Sequence, residues 1–318
     1  MATFAGMNIS PEKGTKGKAR SNSFQTHDPE RFLFAVPKKG RLYNKCLKLL
    51  EGAGIDFFRP NRLDIAQSTS LPLTLVFLPA KDIALYVGEG MVDMGITGED
   101  IIEESGADVN VVMKLGLGKC KLCVQAPVPH EIKSAKELVG KRIVTSFTKL
   151  AKDFFDKIPG GETTKISYVS GSVEAACGLG LADGIVDLVE TGTTMRAAGL
   201  EIVEIIMNTE TVLISNKKTR HAGMITKIKK RFEGYQLAMK YDMMLYNISG
   251  TNLEAAKKIT PGIKAPTVMA LSAVNDDDDK WYAIQVMVLK KKTSQMMDDL
   301  TDLGATGILV MEIKNCRT

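Results

Sequence analysis

Histidine is scarce in this chain: 318 residues carry three, His27, His130 and His221. That argues against a mechanism built on several histidines and against a zinc site. Cysteine is sparse as well. Cys46, Cys120, Cys123, Cys177 and Cys316 are an odd number spread along a long chain, which argues against a disulfide framework and for a reducing compartment. Cys120 and Cys123 form a lone CxxC; in a strand their odd separation sends the thiols to opposite faces, so both are read as structural. No apolar run approaches the ~20 residues of a membrane-spanning helix, and the N-terminus lacks the roughly 7–15-residue apolar stretch of a secretory signal. The expectation is a cytoplasmic protein with no membrane partner. The charge imbalance is small too: 42 basic against 37 acidic side chains, a net +5. This is not a nucleic-acid composition; it suits a protein that gathers phosphate-rich substrates into one cleft. The basic residues between Lys217 and Arg231 have no aromatic platform among them and read as a solvated helix face.

Apolar patterning, in contrast, is plentiful. Hydrophobic residues make up 44% of the chain, and its length predicts two or three domains. Residues 1–30 hold Gly, Ser, Thr, Pro and basic residues without sustained periodicity, which predicts a flexible leader. The segment is acid-poor to about residue 27, so an organellar targeting peptide stays open. From Arg31 the pattern changes. Phe32–Val36 is an apolar run stopped by Pro37; Leu42–Leu50 has helical spacing ended by Gly52 and Gly54; Leu73–Leu78 is a second strand. Asp82 is expected to cap a short helix, and Val92–Ile96 reads as a third strand. Strands alternating with helices predict a parallel sheet. The pattern recurs, with strands at Lys121–Ala126, Arg142–Thr145, Lys165–Val169 and Ile185–Val189 and helices at Lys149–Phe155, Val173–Leu181 and Thr194–Ala198. Two strand-like runs within Glu201–Ser215 would return the chain to the first lobe. The remainder reads as strand Tyr241–Ile248, helix Asn252–Lys258, strands Thr267–Val274 and Trp281–Leu289, helix Ser294–Leu303 and strand Ile308–Ile313. That order, β-α-β-β-α-β, is ferredoxin-like. Asp276–Asp279 is an acidic hairpin turn that discourages edge pairing. The expected partition is a leader at 1–30, a first lobe at 31–119 plus 209–232, a second lobe at 120–208 and a terminal module at 233–318.

Four segments carry chemistry. In the run Asp187–Leu200, DLVETGTTMRAAGL, a buried strand ends in a Thr-Gly-Thr-Thr turn that leads into a helix. Backbone N–H groups converge at such a turn, Gly admits a ligand, and hydroxyls add donors. Asp187 and Glu190 cannot bind phosphate but can accept hydrogen bonds from ribose hydroxyls, so the loop fits a sugar phosphate better than a bare phosphate. An ordinary turn capped by Thr193 or Thr194 remains the plain alternative. Lys38, Lys39, Gly40 and Arg41 stand at the C-terminal end of the first strand, where α/β ligands bind. Thr97, Gly98 and Asp100 form a strand–Gly–acid element, and Ser172, Val173 and Glu174 open a helix after a strand.

Taken in order, these segments resemble the ATP phosphoribosyltransferase family. The resemblance runs through PKKGRL (Pro37–Leu42), RLDIAQSTSLP (Arg62–Pro72), GMVDMGITGED (Gly90–Asp100), IVTSFTKLA (Ile143–Ala151) and SGSVEAA (Ser170–Ala176). It continues through DGIVDLVETGTTMRAAGL (Asp183–Leu200), TPGIKAPTV (Thr260–Val268) and GATGILV (Gly304–Val310). It implies the long form of the enzyme: a two-lobed, periplasmic-binding-protein-like catalytic part with the site between the lobes, plus a C-terminal ferredoxin-like (ACT-like) α+β regulatory domain. The implied reaction condenses ATP with phosphoribosyl pyrophosphate to N1-(5-phosphoribosyl)-ATP and pyrophosphate, the first step of L-histidine biosynthesis. Mg2+ would travel on the substrate phosphates with no side-chain ligands of its own. Dimers and hexamers, and inhibition by L-histidine at the terminal module, are implied as well. Carried over to this chain, Asp187, Glu190, Thr191, Gly192, Thr193 and Thr194 would hold the ribose 5-phosphate end of phosphoribosyl pyrophosphate. Asp187 and Arg41 would be catalytic. Arg41, with Lys38 and Lys39, would face the nucleotide phosphates, and Gly40, Arg62, Thr97, Gly98, Asp100, Ser172, Val173 and Glu174 would line the cleft. Asn247 and Thr267, polar at strand positions, are the candidates for contacting histidine. Leu245 stands where family members often carry an acidic residue or Asn, so that site departs from the usual pattern. Two other classes stay open: a nucleotide-binding regulatory paralogue without turnover, and a small-molecule binding protein.

Overall fold

The computed structural model describes residues 31–59, 63–272 and 280–317, and its compact unit begins at Phe32. The leader, Arg62 and the acidic turn Asp276–Asp279 therefore lie outside the described residues.

The chain opens with β1 (Phe32–Pro37), α1 (Arg41–Gly52), β2 (Phe57–Phe58), β3 (Ile65–Ser68), β4 (Leu73–Leu78), α2 (Ala80–Gly88), β5 (Met94–Gly98), α3 (Glu99–Ser105) and β6 (Val109–Lys114). It continues with β7 (Cys120–Pro127), β8 (Arg142–Thr145), α4 (Thr148–Phe155), β9 (Lys165–Tyr168), α5 (Ala175–Gly178), β10 (Gly184–Val189), α6 (Thr193–Ala197), β11 (Leu200–Thr209) and β12 (Thr211–Asn216). After α7 (Ala222–Ala238) come β13 (Tyr241–Ser249), α8 (Leu253–Ile259), β14 (Thr267–Ala270), β15 (Trp281–Leu289), α9 (Thr293–Asp302) and β16 (Thr306–Glu312).

Seven strands form the first sheet, in the order β2-β3-β4-β1-β5-β12-β6. β1 lies at its centre and runs parallel to β4 and β5. Its residues Phe34, Ala35 and Val36 are fully buried, as a strand covered on both faces must be. One face packs on α1 through Cys46, Leu49 and Leu50 and on α7 through Ile228 and Phe232. The two helices approach closely at Gly52, where any Cβ would overlap the Tyr235 ring. The other face packs on α2 through Ile83, Ala84 and Val87.

The second sheet has the order β11-β7-β10-β8-β9, with β8, β9 and β10 parallel and β7 antiparallel to both its neighbours. It too is covered on both faces, by Phe147, Ala151 and Phe155 on one side and by Val173, Ala176 and Met195 on the other. The chain passes between these sheets twice, after β6 and after β11. The crossings run side by side: Leu115 N–H donates to Thr211 O and Thr211 N–H to Leu117 O, each at 2.9 Å. This two-lobed, periplasmic-binding-protein-like arrangement is the one expected from the sequence.

The third sheet, β14-β15-β13-β16, is antiparallel throughout and ferredoxin-like. Along β13 the even-numbered residues Asp242, Met244, Tyr246 and Ile248 are buried and the odd-numbered ones partly exposed. The buried face packs on Ala256 of α8 and Leu300 of α9. Tyr246 satisfies its hydroxyl on Thr260 Oγ1 at 2.7 Å, which lets a phenol sit in that core.

Several local expectations are corrected. The helix expected over Val173–Leu181 is the single turn α5, and Gly180, with a left-handed φ of 69° inside the expected span, stops it from running on to Leu181. Asp82 lies in the first turn of α2 and is not its cap, which is Pro79. The third strand begins at Met94 instead of Val92. All five cysteines are free, and Cys123 is buried while Cys120 is only half-buried. No helix among the described residues is long and apolar enough to cross a membrane.

Candidate active site

At the end of β10 the chain turns through Glu190, Thr191 and Gly192 into α6. Gly192, with φ 75°, is the N-cap, so neither Thr193 nor Thr194 fills that position. A Cβ at Gly192 would meet Arg196 Nη1 at 2.6 Å, and that φ strains any L side chain. Arg196 Nη2 donates to Thr191 O at 3.0 Å, and the Thr191 and Thr193 hydroxyls hydrogen-bond each other at 3.0 Å. Thr191, Thr193 and Thr194 are all exposed, so their hydroxyls remain accessible.

Two carboxylates flank the loop in opposite electrostatic settings. Glu190 accepts Lys45 Nζ at 3.1 Å and Arg41 Nη1 at 3.0 Å. Its carboxyl is held below the usual range by the Lys45 hydrogen bond above all, then against some desolvation by the charges of both cations. Asp187 is half-buried, and burial pushes its carboxyl up; the hydrogen bond from Leu188 N–H at 2.8 Å and the Arg41 charge lower it, and the Glu174 charge raises it further. Arg41 and Glu174 thus both act on Asp187, although they belong to segments far apart in the chain.

Asp100 is 6% exposed at the start of α3. It pairs with Thr209 where the chain crosses between sheets: Thr209 Oγ1 donates to Asp100 Oδ1 at 2.8 Å and accepts Asp100 N–H at 3.1 Å. Burial raises the Asp100 carboxyl more than these bonds lower it. Thr97 is fully buried and donates to Ala80 O at 3.3 Å. Gly40, with φ 86°, is the N-cap of α1, and Lys38 pairs with Asp64 at 3.3 Å while Lys39 is exposed. Val173 is a core residue of the second sheet, between an exposed Ser172 and a half-buried Glu174. Arg62, expected at the cleft, lies outside the described residues.

Two adjoining cavities occupy this region. One, of about 170 Å³, brings together Arg41, Gly98, Asp100 and Glu190 from three of the expected segments. The other, of about 420 Å³, takes Glu190, Thr191 and Gly192 into its wall. They share Cys120, Glu190 and Glu210. Sequence reasoning missed Lys45, Phe147, Leu188 and the basic group Lys114, Lys119, Lys121 and Arg196, all of which line these cavities. Lys45 carried a usable signal, one helical turn beyond Arg41. Arg196 lay in the quoted motif. Phe147 and Leu188 look like any core residue in sequence.

Asn247 and Thr267 lie in the third sheet and line neither cavity. Both point to the face of that sheet away from its helices, in adjacent cross-strand rows: Asn247 opposes Ala283, and Thr267 opposes Gln285. No group of three or more His, Cys, Asp or Glu side chains among the described residues is placed to hold a metal ion.

The family model for ATP phosphoribosyltransferase matches residues 79–234, and that for the HisG C-terminal domain matches residues 238–315. An ATP phosphoribosyltransferase of Debaryomyces hansenii is 51% identical over 298 residues, covering 92% of this chain and 98% of the relative. That of Saccharomyces cerevisiae is 48% identical over 296 residues, with the same coverage of 92% and 98%. Among solved structures, the ATP phosphoribosyl transferase (HisG:HisZ) complex from Thermotoga maritima aligns at a TM-score of 0.56 with 24% identity, over 64% of this chain and 96% of the other, which speaks to the fold. With residues 79–234 and 238–315 matched by the two family models and about half the aligned residues identical to relatives covered almost end to end, the chain belongs to the ATP phosphoribosyltransferase family.

Proposed function

We propose that this protein condenses ATP with phosphoribosyl pyrophosphate, giving N1-(5-phosphoribosyl)-ATP and pyrophosphate. The observation that carries the reading is the meeting of Arg41 with the Asp187–Thr194 loop across one crevice. The loop supplies hydroxyls and backbone N–H groups for the 5-phosphate, and Asp187 accepts from ribose hydroxyls. Arg41 and Lys45 face the polyphosphate charge. Residues 31–119 with 209–232 and residues 120–208 are then the two catalytic lobes, and the reaction takes place between them.

In the reaction, adenine N1 forms a bond to C1 of the ribose as the C1–O bond to pyrophosphate breaks, and the leaving oxygen keeps the electron pair. The sugar carbon gains oxocarbenium character, as in glycoside cleavage. N1 attacks with its own lone pair, so no strong base is needed. The work of the chain is alignment of two polyanions and stabilisation of charge. Mg2+ would be carried in by the substrate phosphates. There it would neutralise the departing pyrophosphate. The test is formation of both products from purified protein, ATP, phosphoribosyl pyrophosphate and magnesium. A chain that binds nucleotide and forms neither product is the regulatory paralogue.

Residues 233–318 are proposed as a regulatory module that binds L-histidine. What favours this is the outer face of the third sheet, where Asn247 and Thr267 sit among exposed apolar side chains. Met243 pairs with Met287 and Met311, and Leu245 with Leu309. Leu309 is 60% and Met311 51% exposed. Such a face suits contact with further copies of the chain in a dimer or hexamer, with histidine at the contact.

A further inference from the structure

The cavity of about 420 Å³ behind the phosphate loop has a charge pattern that the reading above does not use. Its three acidic side chains, Glu99, Glu190 and Glu210, are matched by three cations only as a group, with Glu99 and Glu210 sharing one lysine. Glu99 and Glu210 both bind Lys114, at 2.9 and 3.3 Å, and Glu190 is held by Arg41 and Lys45 at 3.0 and 3.1 Å. Lys119 and Lys121 face the same cavity with no carboxylate within ion-pair distance among the described residues. Arg196 also lines it, and its guanidinium is engaged by a neutral partner, the Thr191 carbonyl. Lys121 is fixed in place by β7, where its neighbours are Val189 on one side and Asn208 on the other. Three cations thus converge without a counter-charge on a concave wall that includes Thr191 and Gly192. Unneutralised cations concentrated in a cleft attract multivalent anions, and the volume lies within the ~300–1,000 Å³ of small-molecule sites.

We propose that Lys119, Lys121 and Arg196 form a docking site for a polyphosphate chain, continuous with the phosphate loop. This rests on the transferase reading in assigning a source: the diphosphate of phosphoribosyl pyrophosphate or the triphosphate of ATP. The site itself is defined by charge and shape alone. The position next to Thr191 lets one substrate span loop and lysines. The shared wall at Cys120, Glu190 and Glu210 also puts the lysines within the same crevice as Arg41.

The experiment uses the full chain and two probes, inorganic pyrophosphate and inorganic tripolyphosphate, in calorimetry. The wild type binds at least one of them, and the double variant Lys119→Met/Lys121→Met weakens that binding about tenfold or more, since two charge-assisted contacts are lost. Lys119→Arg/Lys121→Arg keeps it. In steady-state kinetics the Met variant raises the KM for phosphoribosyl pyrophosphate if the site holds a diphosphate, and the KM for ATP if it holds a triphosphate. Absence of binding by the wild type overturns the proposal. So does probe affinity in the Met variant equal to that of the wild type. A wild type that binds the probe and loses it in the Met variant, yet forms no phosphoribosyl-ATP, sinks the transferase reading and leaves the site standing.

Discussion

Arg41 and Glu190, 149 positions apart in the chain, meet at 3.0 Å, joining the first turn of α1 to the loop after β10. Lys45, one turn further along α1, takes the other Glu190 oxygen at 3.1 Å. The two cations are 64% and 40% exposed at their side chains, so the pairs contribute little to folding. Glu190→Gln should change the melting temperature only slightly, because exposed pairs are worth ~0–1 kcal/mol. Its kcat/KM should fall about tenfold or more, because charged contacts at the loop are lost. Kinetics and a melt on the same sample decide the matter; a large loss of stability with unchanged kcat/KM would make the contact structural.

Asp187→Ala should raise the KM for phosphoribosyl pyrophosphate and lower kcat, since the carboxylate proposed to accept from the ribose hydroxyls is gone. Each charged hydrogen bond is worth ~1.5–3 kcal/mol, so the combined loss is about tenfold or greater. Kinetics like those of the wild type would remove the loop from the active site.

How much of this was legible in the sequence follows from where the signal lies. Apolar runs such as Phe32–Val36 and Leu73–Leu78 matched their strands because burial on both faces leaves a nearly unbroken pattern. The Thr-Gly-Thr turn was legible because Gly192 needs its positive φ. β3, with alternating burial over four residues, and the two-residue β2 were too short to stand out. Lys119 and Lys121 were invisible as a group with Arg196, since a surface lysine reads the same whether or not a fold places it in a cleft. The contact between Glu190 and Lys45 needed the third dimension.

Asp100→Asn should stabilise the protein near neutral pH. Asn keeps an oxygen to accept from Thr209 Oγ1 and removes a desolvated charge. The sign follows from the raised carboxyl: the wild type loses stability relative to the variant as pH rises from the ordinary carboxylate value through the elevated one. Below that range both carry a neutral group and the difference vanishes. Melts of both proteins from about pH 4 to about pH 8 should show a widening gap. A gap independent of pH would mean that Asp100 does not carry an unfavourable buried charge.

Gly192→Ala should cost both stability and affinity. The left-handed φ of 75° strains an alanine by roughly 1–2 kcal/mol, and its Cβ displaces Arg196 from the Thr191 carbonyl. A melting temperature lowered by a few degrees and a raised KM for phosphoribosyl pyrophosphate are expected. Unchanged values for both would show that the loop does not need this conformation.

Histidine should bind the full chain and inhibit it without competing with phosphoribosyl pyrophosphate, because Asn247 and Thr267 lie in a different sheet from the loop. A coupling of ~1–3 kcal/mol would reduce activity or substrate affinity between several-fold and about a hundredfold. Asn247→Ala/Thr267→Ala should weaken the inhibition and spare uninhibited turnover. Calorimetry showing no binding at millimolar histidine would remove the regulatory assignment while leaving the transferase assignment untouched.

The central claim is chemical, and mass spectrometry of the reaction mixture tests it most directly. The purified protein with ATP, phosphoribosyl pyrophosphate and magnesium should yield N1-(5-phosphoribosyl)-ATP and pyrophosphate in equal amounts, at a rate cut about tenfold or more by Asp187→Ala. A wild-type chain that leaves both substrates intact over the same period would contradict it.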